Sequence, residues 1–170
     1  MPTLHVCSLS RLHETVAETR ASHLVTLISE GTPVERPAAI AADRHLHLSL
    51  HDITEPLEGH VHPAEHHVET LLDFVRAWDR ERPLVIHCWA GISRSTAGAF
   101  ITACALGPGR RERDIALALR AASPIATPNR RLVEIADGLL AREGRMSEAV
   151  RIIGRGADAM EGSPFRLDLD

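Results

Sequence analysis

The sequence predicts a layered α/β domain with a central sheet of four or five strands. Three observations carry that prediction: 170 residues are one domain's worth of chain, strand-like and helix-like segments alternate from end to end, and no repeat or linker interrupts them. Leu4 to Ser8 is a short candidate strand, followed by a helix opening near Ser10 as N-cap. His23 to Ser29 (HLVTLIS) reads as a buried strand closed by Glu30-Gly31-Thr32-Pro33. His45 to Leu50 alternates strictly, with Leu46, Leu48 and Leu50 on one face and His45, His47 and Ser49 on the other. Pro63 suits a first helical position, and Val68, Leu71, Leu72 and Val75 recur at helical spacing, so a helix is expected over 63–81. Leu84-Val85-Ile86 is a short apolar run ending in His87-Cys88. An alanine-rich helix follows from Ser93 to Leu106, stopped by Gly107-Pro108-Gly109. Three more helices are expected near 110–122, 128–143 and 145–154, the second with Thr127 as N-cap and Pro128 as first residue. The expected organisation is a single domain over 1–170, with 157–170 as a C-terminal tail.

Composition narrows the function classes. A formal net charge of −4 gives no general electrostatic grip on nucleic acid or anionic membrane, so neither is an expected partner. No apolar run approaches the roughly 20 residues that span a bilayer, and no secretory signal is visible at Met1-Pro2-Thr3-Leu4-His5. Three widely spaced cysteines, Cys7, Cys88 and Cys104, then read as reduced thiols, and the expected location is the cytoplasm. All 19 basic residues are arginine, which excludes Schiff-base chemistry and a P-loop lysine.

The segment His87-Cys88-Trp89-Ala90-Gly91-Ile92-Ser93-Arg94-Ser95-Thr96 carries the chemistry. It places a cysteine at the C-terminal end of a buried strand and an arginine six residues on, at the start of a helix. The backbone N–H groups of Trp89, Ala90, Gly91, Ile92, Ser93 and Arg94 have no strand partners and can curl around an anion. The helix N-terminus adds partial positive charge, Arg94 offers a bidentate fork, and Gly91 allows a tight curl. Donors that bind a phosphate also stabilise a thiolate, which makes Cys88 a candidate nucleophile beneath a bound phosphoryl group. Ser95 can donate a hydroxyl to the sulfur as leaving group, and His87 can fix the loop through its ring nitrogens. Trp89 is expected to pack beneath the loop rather than wall the pocket.

This segment resembles the signature loop of the cysteine-dependent protein tyrosine phosphatases, and its HCxAGxSRS form is similar to the dual-specificity branch, in particular to bacterial phosphatase-like proteins. The Pro128-Asn129 pair opening a helix some forty residues later agrees, and the similarity runs from the first strand to about residue 143. The resemblance implies a central, mostly parallel sheet flanked by helices, and a metal-free, cofactor-free phosphatase. By it Cys88 is the nucleophile, Arg94 and residues 89–93 bind phosphate, and His87 and Asn129 support them. The substrate would be a phosphorylated protein or a small phosphomonoester, with phosphotyrosine-type esters leading. There is no Trp-Pro-Asp loop and no tyrosine-recognition loop before the first strand. The signature loop also lacks lysine, which favours a phosphoprotein over an inositol phosphate.

The general acid must come from elsewhere, and Asp52 is the best candidate. It follows the strand at 45–50, so it lies at a strand's C-terminal end, as Cys88 does. It precedes Cys88 by 36 residues, within the interval the resembled family uses. Glu55 is its nearest rival, and the bland alternative is a turn-capping aspartate. Two other functions compete with the phosphatase. Seven of the eleven histidines fall between His45 and His67, and with Asp52 they could form a metal-dependent hydrolase, though no specific ligand spacing is present. An intact loop could also serve a catalytically inactive phosphate-binding module. Arg110, Arg111 and Arg113 read as a solvated helix face, whereas Arg130 and Arg131 could reach the site rim and favour acidic or doubly phosphorylated substrates.

Overall fold

A computed structural model describes residues 2–170. Five strands form one sheet in the order β3-β2-β4-β1-β5: β1 Thr3–Cys7, β2 His23–Ile28, β3 His45–Ser49, β4 Leu84–His87 and β5 Phe165–Asp168. The first four run parallel, with Leu4 opposite Leu84, His23 opposite Leu84 and Leu24 opposite His45, while β5 runs antiparallel to β1. The helices are α1 Leu12–Thr19, α2 Glu65–Ala77, α3 Arg94–Leu106, α4 Glu112–Ala122, α5 Arg130–Leu139 and α6 Arg145–Ile153. This is the mostly parallel α/β layering expected from the sequence.

The sheet's two faces are covered unequally. On one, α1 packs Leu12 and Val16 on Leu24 and Val85, with Ile40 from the loop after β2. On the other lies the main core, centred on α3, whose residues Arg94–Cys104 are all buried. Gly98 lets α3 lie close on the sheet: a Cβ there would stand 3.0 Å from Leu27 Cδ1 and 3.2 Å from Ile86 Cγ2. The apolar stripe read in the sequence, Val68, Leu71, Leu72 and Val75, is the buried face of α2. Because all four parallel strands point the same way, their C-terminal ends bring Ser8, Ser29, Leu50 and Cys88 to one edge.

Four local expectations are corrected. Ser10 does not cap α1: a short 3₁₀ turn at Leu9–Arg11 comes first, and the Ser10 hydroxyl donates to Glu161 instead. The helix expected over 63–81 is confined to Glu65–Ala77, because Ala64 is extended and its N–H donates to His67 Nδ1, and because Trp78 is extended beyond it. The cap of α5 is Asn129 rather than Thr127, since the Asn129 carboxamide oxygen accepts from the Leu132 N–H at 3.0 Å. Thr127 turns elsewhere, its N–H to Ile92 O and its hydroxyl to Ile125 O. The segment expected as a tail over 157–170 is in part a sheet element, because β5 hydrogen-bonds to β1 and buries Leu167 and Leu169. The signal there was a four-residue alternation, FRLD, too short to stand out.

Leu167 lies opposite Leu4 on the buried face. Leu167→Ala is expected to cost about 2–4 kcal/mol, from lost burial plus the cavity left behind. Urea unfolding at neutral pH measures it, and a loss under about 1 kcal/mol would mean that β5 does not close the sheet in solution.

Candidate active site

Between β4 and α3 the chain makes one turn around the Cys88 sulfur. The carbonyls of this loop are tied outward: Trp89 O accepts from Leu9 N–H (3.0 Å), Ala90 O from Gly162 (2.7 Å), Ile92 O from Thr127 (2.9 Å) and Ser93 O from Asn129 (3.2 Å). With the carbonyls held outward, the amides turn in. Of the amides of residues 89–94, that of Gly91 donates to Cys88 Sγ at 3.3 Å, and the other five have no protein acceptor among the described residues. Gly91 has φ +73°, and a Cβ there would lie 2.8 Å from the Cys7 carbonyl carbon, so both conformation and space require glycine. Cys88 is buried, with its sulfur 3.1 Å from Ser95 Oγ. Cys7 and Cys104 are also buried, and burial pushes each thiol up to about 12, which leaves them unreactive.

Arg94 is buried at the mouth of this loop. Its Nη1 donates to Ser29 Oγ (3.0 Å) and Leu50 O (2.9 Å), anchoring the guanidinium to the ends of β2 and β3. Its Nε is fully buried and has no partner among the described residues. An orphaned guanidinium N–H costs free energy unless an acceptor arrives. The Nε–Nη2 edge and the five free amides make a cradle for a tetrahedral anion.

Asp52 joins the same site. Its Oδ1 accepts from Ser93 Oγ at 2.7 Å and from Asn129 Nδ2 at 2.8 Å, and Asn129 Nδ2 also reaches Ile53 O at 3.2 Å. Both donors act on Oδ1, which leaves Oδ2 free to hold or deliver a proton. Asn129 thus caps α5, ties the loop after β3 to the loop at 88–94 and orients Asp52. Trp89 corrects its expectation, since it is 61% exposed and stands out from the loop rather than beneath it.

His87 lies beneath the loop with both ring nitrogens bonded, and its tautomer follows from its neighbours. Nδ1 lies 3.0 Å from Cys88 O, and a carbonyl only accepts, so Nδ1 carries the proton. Nε2 then accepts from the Thr26 hydroxyl at 2.8 Å, and that hydroxyl accepts in turn from His45 Nε2 at 2.8 Å. Thr26 was missed in the sequence, although a lone threonine in HLVTLI was a signal, and His45, considered there only as a metal ligand, is its partner. Ser29, Leu50 and Gly162 were missed as well, because they act through the third dimension alone. Burial holds His87 and His45 down to about 4.

Three further histidines brace the loop between β3 and α2. His51 Nδ1 accepts from the Val61 N–H, His62 bonds Thr54 O and His60 bonds Glu58 O. Among the described residues no three His, Cys, Asp or Glu side chains converge as metal ligands. Among the described residues no helix is long and apolar enough to cross a membrane.

No known family profile and no curated protein matches the chain. Solved structures do. DUSP15 superposes with a TM-score of 0.66 at 19% identity, covering 90% of this chain and 91% of its own. The human tyrosine phosphatase-like serine/threonine/tyrosine-interacting protein gives 0.64 at 17%, covering 82% and 92%. PTPMT1 in complex with PI(5)P gives 0.60 at 15%, covering 82% and 94%. The chain therefore has the α/β fold shared by dual-specificity and tyrosine phosphatases.

The neutral His87 has a consequence for acid stability. In the unfolded chain histidine binds its proton near pH 6.5, whereas folded His87 waits until about 4, so the unfolded state binds more protons between the two. Its contribution is complete above pH 6.5 and is lost as the pH falls to about 4, amounting to about 3 kcal/mol at about 1.4 kcal/mol per pH unit. His87→Asn keeps a donor for Cys88 O and cannot titrate. Unfolding free energies at pH 7 and 4.5 should fall less in this variant than in the wild type, and equal falls would refute a buried neutral imidazole.

Proposed function

We propose that this chain is a phosphatase that hydrolyses phosphomonoesters, phosphotyrosine-type esters foremost, through a cysteinyl-phosphate intermediate. Within the resembled superfamily the loop sequence supports a dual-specificity-like enzyme of the bacterial branch, and three cysteines that read as reduced thiols support a cytoplasmic location. One observation carries the reading. A buried arginine with an unpartnered Nε stands with five free amides around a single buried cysteine, an arrangement with an anion's shape and a nucleophile at its base.

The steps follow from the positions. The phosphate oxygens take the free amides and the Nε–Nη2 fork of Arg94, which places phosphorus above Cys88 Sγ. The Cys88 thiolate forms the S–P bond as the P–O bond to the leaving group breaks, and Asp52 Oδ2 gives its proton to that oxygen. In the second step a water attacks phosphorus, Asp52 takes its proton back, and the S–P bond breaks to release inorganic phosphate. The Ser95 hydroxyl, 3.1 Å from the sulfur, donates to the departing thiolate. No metal enters any step.

Turnover of an aryl phosphate should survive a chelator and stop with vanadate, whereas loss on chelation with rescue by zinc or iron would favour the histidine hydrolase. Cys88→Ser should abolish turnover while keeping phosphate binding, because an alcohol is not ionised near neutral pH. More than a few percent of residual activity would sink the covalent route. A wild type that binds but turns nothing over would be the inactive binding module.

Asp52→Asn should slow phosphotyrosine cleavage by about 10²–10⁴, the usual scale of general-acid help, and should slow para-nitrophenyl phosphate far less. It should also flatten the alkaline limb of the pH–rate profile, while Glu55→Gln does neither. Unchanged rates on both esters would reduce Asp52 to a turn residue.

A further inference from the structure

The carbonyl of Cys88 opens the turn, and a side chain rather than a framework amide holds it. His87 Nδ1 donates to Cys88 O at 3.0 Å. The peptide after Cys88 is trans, and in a planar trans peptide the C=O and N–H point opposite ways. Fixing Cys88 O therefore fixes the direction of the Trp89 N–H, one of the five amides without a protein acceptor among the described residues. His87 can do this only while Nδ1 carries its proton, since the other tautomer would set a lone pair against the carbonyl. Burial foremost, and then His45, His47 and Arg94, keep a second proton off the ring.

That tautomer leaves Nε2 as an acceptor in the buried core, and Thr26 meets it. All six residues of β2 are buried, and the Thr26 hydroxyl among them lies 2.8 Å from both His87 Nε2 and His45 Nε2. These are its only partners among the described residues. One hydroxyl proton serves one ring. With His45 Nε2–H donating to the oxygen, the proton is left to His87 Nε2, and the row runs in a single direction to Cys88 O. Reversed, it would turn the wrong His87 tautomer toward the loop. His45 is half-buried on β3, neither it nor Thr26 belongs to the loop at 88–94, and the proposed chemistry uses neither.

We propose that Thr26 and His45 are positioning residues for the anion site: His45 turns the Thr26 hydroxyl toward His87, and Thr26 holds the His87 ring as the donor that keeps the Cys88 carbonyl out of the turn and the Trp89 N–H available to a phosphate oxygen. The inference rests on the phosphatase reading above and adds two residues of the sheet to its machinery. Neither touches the substrate, and both act through His87. A merely structural role would ask only that the buried hydroxyl and ring nitrogens be satisfied. The positioning role adds that losing the hydroxyl alone, at unchanged volume, loosens the hold on the anion.

Thr26→Val removes the hydroxyl at nearly constant volume, and Thr26→Ser restores it. Two measurements are read in each. Nitrogen-edited proton spectra locate the His87 ring proton and follow its exchange with water. Inorganic phosphate is titrated as a protectant of Cys88 against iodoacetate, Cys7 and Cys104 being unreactive. The wild type should carry the proton on Nδ1. Thr26→Val should exchange it about ten-fold faster or more, and should need about three- to ten-fold more phosphate for half protection, the scale of one hydrogen bond. Thr26→Ser should match the wild type in both. His45→Leu should move both in the same direction by less, and it carries the test if Thr26→Val does not fold. A wild-type proton on Nε2, or a folded Thr26→Val with wild-type phosphate protection, would overturn the proposal, as would equal losses in Thr26→Ser and Thr26→Val. A His45→Leu variant identical to the wild type would overturn the role of His45, and the whole proposal where Thr26→Val is unfolded. A wild type that phosphate does not protect and that turns over no ester would sink the phosphatase reading instead, and the His87 proton would still decide whether Thr26 and His45 hold the ring.

Discussion

The site depends on one constraint, the outward anchoring of the carbonyls between Cys88 and Arg94. Four framework amides, from Leu9, Thr127, Asn129 and Gly162, hold the carbonyls of Trp89, Ile92, Ser93 and Ala90. These donors come from three distant parts of the chain, so the loop's shape belongs to the whole molecule. Left free, those carbonyls would compete for the centre of the turn and cancel the positive field there. Anchored outward, they leave five amides of the loop without acceptors among the described residues. The segment before β5 is part of this anchoring. Gly162 reaches Ala90, and Glu161 accepts from the hydroxyls of Ser8 and Ser10, which hold its carboxyl below the ordinary carboxylate range.

Arg94 shows the same logic in a side chain. One guanidinium nitrogen is fixed to Ser29 and Leu50 at two strand ends, so the fork cannot swing away from the loop. The remaining edge faces inward, and its buried Nε has no partner. A folded chain rarely leaves such a donor unmet, and the cost is offset once an anion is bound. Asp52 is arranged differently. It is exposed, and two donors on Oδ1 orient it without occupying Oδ2.

Five of the eleven histidines serve two structural duties. His87, Thr26 and His45 form a hydrogen-bonded row across β4, β2 and β3 on the face that α1 covers, as Leu24 and Val85 show by register. Its end, His87 Nδ1, holds the carbonyl of Cys88. His51, His60 and His62 satisfy backbone groups of a long irregular loop that ends where α2 begins. A loop of that length needs such partners, because it has no ladder to supply them.

Sequence alone determined the layering, four of the five strands, the apolar stripe of α2 and the strand–loop–helix turn that carries Cys88 and Arg94. Each is local, written in periodicity or in a short run whose spacing sets a backbone shape. The position of Asp52 at a strand end was also legible, since strand direction follows from chain order once the sheet is parallel. The strand at 165–168 was not, because four alternating residues carry too little signal without β1 beside them. Nor were the starts of α1 and α5, where Ser10 and Thr127 looked like caps and were drawn to Glu161 and to Ile92 and Ile125 instead. Only the tertiary structure decided that Asn129 would hold Asp52, 77 residues away, and that Gly162 would anchor Ala90. Such contacts arise between groups whose spacing along the chain is arbitrary, and the packing that brings them together leaves no period in the sequence.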